Sequence, residues 1–381
     1  MKTLTGQTWR RWPVAGAALL VLAVLAGCAG GSKRPEPAEL PPNVAVLGVR
    51  QAWVARATEV AFPLEVHVAG QQVALAGSDG TVLTLDAATG QTLGRAQVGE
   101  ALSGGVGSDG QVTAVVTRVN EVVALSGGRE IWRHRLGTQS YTAPLVAGGR
   151  VFVLGADRSL TGMDGQTGAV LWNVQRTTEP LVLRQAGVLT AVGNTLVAGL
   201  SGRLVGVNPD NGSILWEAPV ASARGTNDVE RLVDLVGGVS RQANVVCTRA
   251  FQAAVGCVDT HNGQVQWTRQ ANGATGISGD GERLYGTEGD GRVMAWNAQD
   301  GGRAWVADDL QWRFLTGTLV LGSAVVFGDS TGLVHLRARA DGKPLNRLRT
   351  DGSGIAATPV LAGNTLVVVT RKGAVYGFVL E

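Results

Sequence analysis

The sequence is poor in the residues on which most enzyme chemistry depends. Its 381 residues include only four histidines, three cysteines and three methionines. It also lacks the Gly-x-Ser-x-Gly, Walker and Rossmann strings of hydrolases, phosphate-binding loops and dinucleotide-binding folds. These absences predict no catalytic site, no metal site and no cofactor. The histidines show no metal-ligand spacing and are His67, His134, His261 and His335.

An excess of basic charge is also missing once the N-terminal region is set aside. The whole chain has 33 Lys and Arg against 30 Asp and Glu. Residues 1–27 hold three of the basic residues and no acidic one, so 30 of each sign remain. A nucleic-acid binder needs a basic stripe, and a neutral chain therefore predicts no nucleic-acid partner.

What the sequence does contain is a repeat of about 40 residues. In each copy an apolar run enters an Asp-x-x-x-Gly turn and a second run leaves it, as in Met163 to Trp172. The turn glycines are 38, 40, 44, 51, 38 and 41 residues apart, and five of the seven are followed four positions later by Trp. Short strands at this period predict the blades of a β-propeller. The glycines are Gly90, Gly128, Gly168, Gly212, Gly263, Gly301 and Gly342, and the positions after them are Gly94, Trp132, Trp172, Trp216, Trp267, Trp305 and Asn346.

The two chain ends settle the number of blades. The last repeat has a hairpin at 366–379 but stops at Glu381 without an Asp turn or a Trp strand, whereas Trp53 stands one period before Gly94 with no blade strands ahead of it. We therefore expect an all-β fold at residues 44–381: eight four-stranded blades, closed by the N-terminal strand. The repeated Asp residues are interpreted as turn formers and the repeated Trp residues as packing between blades.

The N-terminus has the pattern of an exported lipoprotein. A basic start and the apolar run Val14 to Leu25 lead into Leu25-Ala-Gly-Cys28, which resembles a bacterial lipobox. We interpret residues 1–27 as a signal peptide, Cys28 as the lipidated residue and residues 28–43 as a flexible Pro- and Gly-rich tether. The alternative is an ordinary signal peptide with a chance cysteine. Ala29, not Asp, follows the cysteine, and by resemblance this implies an outer-membrane lipoprotein on the periplasmic face.

The other two cysteines, Cys247 and Cys257, lie on the two arms of one predicted hairpin. In an oxidising compartment they could form a disulfide across the strands. Two buried apolar thiols are the alternative, and the sequence leaves both open.

The repeat Asp164 to Trp172 is similar to the tryptophan-docking repeat of pyrroloquinoline quinone dehydrogenases, which also have eight blades. Those enzymes are longer, carry adjacent cysteines at the cofactor and bind calcium, whereas Cys247 and Cys257 are ten residues apart. From residue 28 onward the chain resembles the BamB family, propeller lipoproteins of the outer-membrane β-barrel assembly (BAM) machinery.

Two motifs carry over from that family as contacts to BamA, the barrel subunit. The family's Leu-x-Leu-Arg loop matches Leu181, Leu183 and Arg184, and its second loop matches Asp234, although Val236 replaces a second aspartate. Both segments lie between an outer strand and the next inner strand, which predicts adjacent blades and the same face. The second connection is also the longest, and long loops in compact repeats often carry function.

The resemblance implies a non-catalytic scaffold that binds the periplasmic POTRA domains of BamA and, through BamA, the other BAM lipoproteins. It also implies help in delivering unfolded outer-membrane protein precursors, with exposed strand edges as a possible acceptor. A quinoprotein oxidoreductase and a cell-envelope propeller with another partner are the alternatives.

Overall fold

The computed structural model of the protein describes residues 3, 35–175, 181–223, 227 and 231–381. The chain divides into two compact units, residues 1–36 and Pro37–Glu381. The predicted signal peptide and Cys28 lie outside the described residues. All the regular elements of the described residues are β-strands of the second unit. This same part of the chain holds no helix with the length and apolar character needed to span a bilayer.

Over the described ranges, 32 strands form eight sheets of four strands. Each sheet is a blade, and its strands follow one another in the chain from the inner to the outer edge, except that β1 completes blade 8. The strands are β1 (Val49–Arg56); in blade 1 β2 (His67–Ala69), β3 (Gln72–Ala76), β4 (Thr81–Asp86) and β5 (Thr92–Gln97); in blade 2 β6 (Gly107–Ser108), β7 (Thr113–Val116), β8 (Glu121–Ser126) and β9 (Arg129–Arg135); in blade 3 β10 (Leu145–Ala147), β11 (Arg150–Leu154), β12 (Leu160–Asp164) and β13 (Val170–Val174); in blade 4 β14 (Leu189–Val192), β15 (Thr195–Leu200), β16 (Arg203–Val207) and β17 (Ile214–Pro219); in blade 5 β18 (Leu235–Gln242), β19 (Val245–Ala250), β20 (Ala254–Asp259) and β21 (Gln264–Gln270); in blade 6 β22 (Ser278–Gly279), β23 (Arg283–Thr287), β24 (Val293–Asn297) and β25 (Arg303–Ala307); in blade 7 β26 (Leu319–Leu321), β27 (Ala324–Gly328), β28 (Leu333–Ala338) and β29 (Pro344–Arg349); and in blade 8 β30 (Val360–Ala362), β31 (Thr365–Val369) and β32 (Ala374–Leu380).

The ring of blades is closed by the two ends of this unit. β1 pairs antiparallel with β32 and forms the outer strand of blade 8. In this register Trp53 faces Gly377 and Ala55 faces Val375. Every blade therefore has a neighbour on both sides. The prediction of eight blades closed by the N-terminal strand is confirmed.

Burial differs between the middle and the outer strands of a blade. All five residues of β31 are buried, as expected for a strand covered on both faces, which appears in sequence as a continuous apolar run. In β9 Trp132 is the only buried residue. The outer strand thus contributes one large aromatic side chain and otherwise faces solvent.

Tryptophans on the outer strands of six blades pack against the turn glycine of the next blade, whereas blades 1 and 7 have Gly94 and Asn346 at this position. The indole nitrogen of Trp132 in blade 2 donates a hydrogen bond to the carbonyl oxygen of Gly165 in blade 3, at 2.8 Å. A Cβ added to the turn glycine Gly168 would lie 2.6 Å from the ring of Trp132. Glycine is therefore favoured at position 168 for two reasons: the ring leaves no room for a Cβ, and the backbone φ of 72° is one that glycine adopts readily. Equivalent indole hydrogen bonds join Trp53 to Ala87, Trp172 to Pro209, Trp267 to Ala298 and Trp305 to Arg339. The predicted packing of tryptophans between blades is confirmed.

Blade 7 lacks this tryptophan, and the N-terminal segment packs in its place. Asn346 stands at the Trp position of β29; it accepts a hydrogen bond from the side chain of Asn43 at 2.9 Å and donates one to the carbonyl of Leu47 at 2.7 Å. The backbone of Val46 donates to the carbonyl of Leu345. The segment therefore covers the outer edge of β29, an edge that would otherwise expose unpaired backbone groups.

Part of the expected tether at 28–43 is held by the propeller. Within the described residues, Ala38 donates to the carbonyl of Gln311 and accepts from Arg313 in the connection between blades 6 and 7, and Asn43 donates to Asn346 of blade 7. The physical reason is that Asn346 offers an amide donor and acceptor where other blades have an indole, and that the loop at 311–313 offers a carbonyl and a guanidinium to the backbone of Ala38. Composition alone identifies polar, Pro-rich segments but not such a docking site.

Two kinds of loop meet on one face of the propeller, which we call the connection face. The first kind runs from the outer strand of one blade to the inner strand of the next. The second kind is the turn between the second and third strands within a blade. Their contact is direct, because Arg158 in such a turn donates to the carbonyl of Leu181 in such a connection, at 2.9 Å.

Candidate partner-docking site

The two motif loops contact each other on the connection face. Leu181 to Arg184 lie between β13 and β14, and Asp234 directly precedes β18. The carboxylate of Asp234 accepts a hydrogen bond from the backbone N–H of Leu183 at 2.9 Å, across 51 residues of sequence. The four residues named from the motifs therefore belong to one surface, which we call the docking site.

Arg158 lies beneath both loops and holds them together. It forms an ion pair with Asp234 at 3.0 Å, and their side chains are only 6% and 16% exposed. The same guanidinium nitrogen donates to the carbonyl of Leu181. Each oxygen of Asp234 thus has a partner, Arg158 for one and the Leu183 N–H for the other. Removing one member of such a shielded pair leaves the other charge poorly solvated, so the pair fixes the loop.

Arg158 was not among the residues named from the sequence, although the sequence contains a signal for it. In four repeats the corresponding turn position is a glycine with positive φ, and Arg158 adopts φ 63° there. A long charged side chain in a left-handed turn is unusual and points to a specific role. The four glycines are Gly80, Gly291, Gly332 and Gly373.

The side chains that face outward differ from those that build the site. Leu181 is 40% exposed and Arg184 is exposed, whereas Leu183 is half-buried. The guanidinium carbon of Arg184 lies 5.8 Å from the centre of the Tyr141 ring, within cation–π range. Among the described residues no carboxylate forms a salt bridge with Arg184, so its charge is available to a partner. A small depression of about 50 Å³, lined in part by Tyr141, Arg158 and Leu183, lies beside these groups.

Val236, which replaces the second aspartate of the motif, does not reach the surface. It is 1% exposed and pairs with Arg249 within blade 5. An isolated bridge also joins it to Gly187 at the start of blade 4. The side chain at this position therefore packs in the fold and makes no contribution to the exposed part of the docking site.

The cysteine pair lies on the two middle strands of blade 5. Cys247 on β19 and Cys257 on β20 face each other in register, and their sulfur atoms are bonded at 1.95 Å. Both are buried in a cluster with Trp267 and Trp296. Over the described residues there is no group of three or more His, Cys, Asp or Glu side chains that could hold a metal ion.

Comparisons with known proteins agree with one another along the chain. The family described as "Outer membrane protein assembly factor BamB" matches residues 78–307. A relative with this description from Burkholderia pseudomallei is 36% identical over 96% of this chain and 97% of its own length. Another from Bordetella pertussis is 32% identical over 97% of this chain and 96% of its own.

Solved structures share the fold. The crystal structure of BamB from Moraxella catarrhalis has a TM-score of 0.80 at 22% identity, covering 87% of this chain and 99% of that one. A quinohemoprotein alcohol dehydrogenase from Comamonas testosteroni has a TM-score of 0.67 at 15% identity, covering 88% and 77%. Only the sequence comparisons separate these two kinds of propeller, and they show that the chain belongs to the BamB family of outer membrane protein assembly factors.

Proposed function

We propose that this protein is an outer membrane protein assembly factor that acts as a non-catalytic scaffold on the periplasmic side of the outer membrane. The names of its relatives support the process. The docking site supports a binding role, because its buried part is an ion pair that fixes a loop and its exposed part is leucine and arginine. Arginine is enriched among the residues that dominate protein interfaces, and the exposed leucine adds apolar surface beside it.

The partner that we propose is BamA, through its POTRA domains, with the other BAM lipoproteins bound through BamA. Leu181 would insert as an apolar anchor, and Arg184 would pair with an acidic group of the partner. Asp234 has a positioning role in this proposal, since both of its oxygens are engaged within the chain. Lipidation of Cys28 would hold the protein at the outer membrane.

A charge reversal tests the docking site. Arg184→Glu, expressed as the full lipoprotein, is expected to lose most of the BamA recovered with the wild type from detergent-solubilised outer membranes. Arg95→Glu in β5, another exposed arginine, is the matched control and should recover BamA normally. Full recovery with Arg184→Glu, or equal loss with both variants, would contradict the assignment. If the wild type itself recovers no BamA, the protein serves another partner of the envelope.

A second part of the proposal concerns unfolded barrel precursors. The outer strands β5 and β17 carry the exposed residues Leu93 and Leu215 on unpaired edges, and such edges can accept an added strand. Site-specific photocrosslinking from position 93 in cells should trap precursors that accumulate on depletion of BamA. Crosslinks to mature barrels alone would argue against the edge as an acceptor.

The quinoprotein alternative is not favoured. The likeness to quinohemoprotein alcohol dehydrogenase is 15% in sequence and concerns the fold. Adding pyrroloquinoline quinone with calcium should change neither the melting temperature nor the rate of dye reduction. A thermal shift together with turnover would restore the alternative.

A further inference from the structure

The connection between blades 6 and 7 reverses the usual placement of polar and apolar side chains. Within the segment 311–314, here called the aromatic loop, Trp312 is 37% exposed and Phe314 is 55% exposed, whereas Arg313 between them is buried. Large aromatic side chains normally bury most of their surface. Two of them turned outward around a buried arginine therefore need a reason beyond the packing of the propeller.

The backbone of the aromatic loop is also unusual at both aromatic residues. Trp312 has φ 60° and Phe314 has φ 49°. Bulky residues rarely adopt this left-handed region, and the surrounding structure has to hold them in it. The backbone N–H of Trp312 donates to the carbonyl of Asp290 at 3.0 Å, which fixes the loop to the neighbouring turn of blade 6.

Arg313 is the anchor that holds this conformation. Its guanidinium pairs with the buried carboxylate of Asp329 at 2.8 Å and donates to the hydroxyl of Thr331 at 2.7 Å. It also donates to the carbonyl of Ala38 at 2.8 Å, and the N–H of Ala38 donates to the carbonyl of Gln311. The N-terminal segment is therefore bound to the aromatic loop through Ala38.

This attachment ties the aromatic loop to the proposed lipid anchor. Ala38 is ten residues after Cys28, and ten extended residues span at most about 35 Å. The loop is thus kept within that distance of the bilayer that the acyl chains enter. Tryptophan is enriched where proteins meet the headgroup region, since its ring is apolar and its N–H can bond to polar groups.

Nearby charge indicates which bilayer surface fits. Asp308 is exposed beside the loop, and in the chain between Cys28 and Leu40 the acidic Glu36 and Glu39 are balanced by Lys33 and Arg34. Binding to an anionic surface needs an excess of basic charge, which this region lacks, so a zwitterionic headgroup region is the better match. We infer that the aromatic loop is a membrane contact, in which Trp312 and Phe314 enter the zwitterionic lipid interface at the point where the lipid-anchored segment joins the propeller.

This inference rests on the lipidation of Cys28 proposed above, and the experiment separates the two. The mature lipoprotein is reconstituted into phosphatidylcholine and phosphatidylethanolamine vesicles that contain brominated lipids, which quench tryptophan fluorescence on contact. Mass spectrometry of the same sample tests acylation of Cys28. We expect quenching in the wild type and at least a threefold smaller quench in Trp312→Phe, because the other described indoles are buried or packed between blades.

Two further variants make the outcome decisive. Phe314→Ala should also reduce quenching by about twofold, because the loop loses half of its apolar contact. Ile131→Ala, which shortens an exposed side chain of β9, should leave quenching unchanged. If the protein is acylated and the fluorescence quenching is equal in the wild type and Trp312→Phe, the inference is wrong but the lipidation of Cys28 stands. Absence of the acyl mass would overturn both, and loss of BamA recovery in Trp312→Phe with unchanged quenching would reassign the loop to a protein partner.

Discussion

Arg158 and Asp234 form an ion pair between blade 3 and the connection into blade 5, with their charged atoms 3.0 Å apart. The pair spans 76 residues of sequence. It lies under the Leu181 to Arg184 loop and bonds to it at two backbone positions, one on Leu181 and one on Leu183. The shielded ion pair therefore holds the exposed part of the docking site in place. Arg158 and Asp234 fix the loop, whereas Leu181 and Arg184 would contact a partner.

Replacing the arginine with glycine tests this separation. Arg158→Gly keeps a residue that accepts the left-handed turn but removes the ion pair and the bond to Leu181. We expect affinity for the BamA periplasmic domains to fall about tenfold, which corresponds to about 1.4 kcal/mol, because the loop must be ordered on binding. Titration calorimetry with the purified proteins measures the change.

The matched control for this variant is Asn120→Gly, at the corresponding turn of blade 2, where φ is 64°. Its affinity should equal that of the wild type. Chemical unfolding of both variants completes the comparison. If Arg158→Gly lowers stability and binds normally, Arg158 is a structural residue and the proposed positioning role is wrong.

The contact between a tryptophan and the turn glycine of the next blade gives a prediction about stability. Ala at position 168 would require left-handed backbone and would also place a methyl group 2.6 Å from the ring of Trp132. Gly148 has a similar φ of 58° with no atom within 4 Å of an added Cβ. We expect Gly148→Ala to cost about 1 kcal/mol for the backbone alone, and Gly168→Ala to cost about 1–3 kcal/mol more through overpacking. Equal midpoints in urea would mean that the ring moves aside freely.

The repeat was enough to predict most of the fold. Gly168 and Trp172 show the offset of four residues that recurs in five repeats, and a period near 40 left little choice of architecture. Trp53, standing alone before the first blade, located the closing strand. These features are local in sequence, since each one depends on residues a few positions apart.

The docking site could be predicted only in part, because the rest of it depends on contacts between distant residues. Leu181, Leu183, Arg184 and Asp234 were named from a family motif, and the adjacency of their loops followed from strand direction. Arg158 was missed, because no pattern in the neighbouring sequence indicates that a turn of blade 3 pairs with Asp234. The docking of Ala38 on Arg313 was missed for the same reason, as it joins positions 275 residues apart.

The bonded cysteines lead to a prediction about redox dependence. Closing a ten-residue separation removes chain entropy from the unfolded state, and the loop-entropy relation gives about 2–3 kcal/mol. The double variant Cys247→Ala and Cys257→Ala should be destabilised by about this amount and should not respond to dithiothreitol. The wild type should respond and should show no free thiol in denaturant. Two reactive thiols in protein isolated from the periplasm would contradict the disulfide.

Glu65 gives a prediction about pH. It lies in the connection from blade 8 into blade 1 and accepts a hydrogen bond from the N–H of Ala143 at 3.2 Å. Its carboxylate also approaches Gly237 of blade 5, where an added Cβ would lie 2.8 Å from a carboxylate oxygen. Burial raises its pKa from 4.5 to about 7, against the smaller effect of the Ala143 hydrogen bond. The charged form is therefore disfavoured in the folded protein.

Because the pKa is raised on folding, the favourable contribution of protonated Glu65 is complete below about pH 4.5 and is lost as the pH rises through about 7. Glu65→Gln, which keeps the acceptor for Ala143 without the charge, should be more stable than the wild type by about 1–2 kcal/mol near pH 8.5. Each pKa unit is worth about 1.4 kcal/mol, and the partial exposure of Glu65 reduces the effect of the full shift. Near pH 4.5 the two proteins should unfold at the same urea concentration. Glu59→Gln changes an exposed glutamate of the same connection and should show no such pH-dependent gain. A gain for Glu65→Gln that is equal at both pH values would mean that packing, and not the buried charge, separates the two proteins.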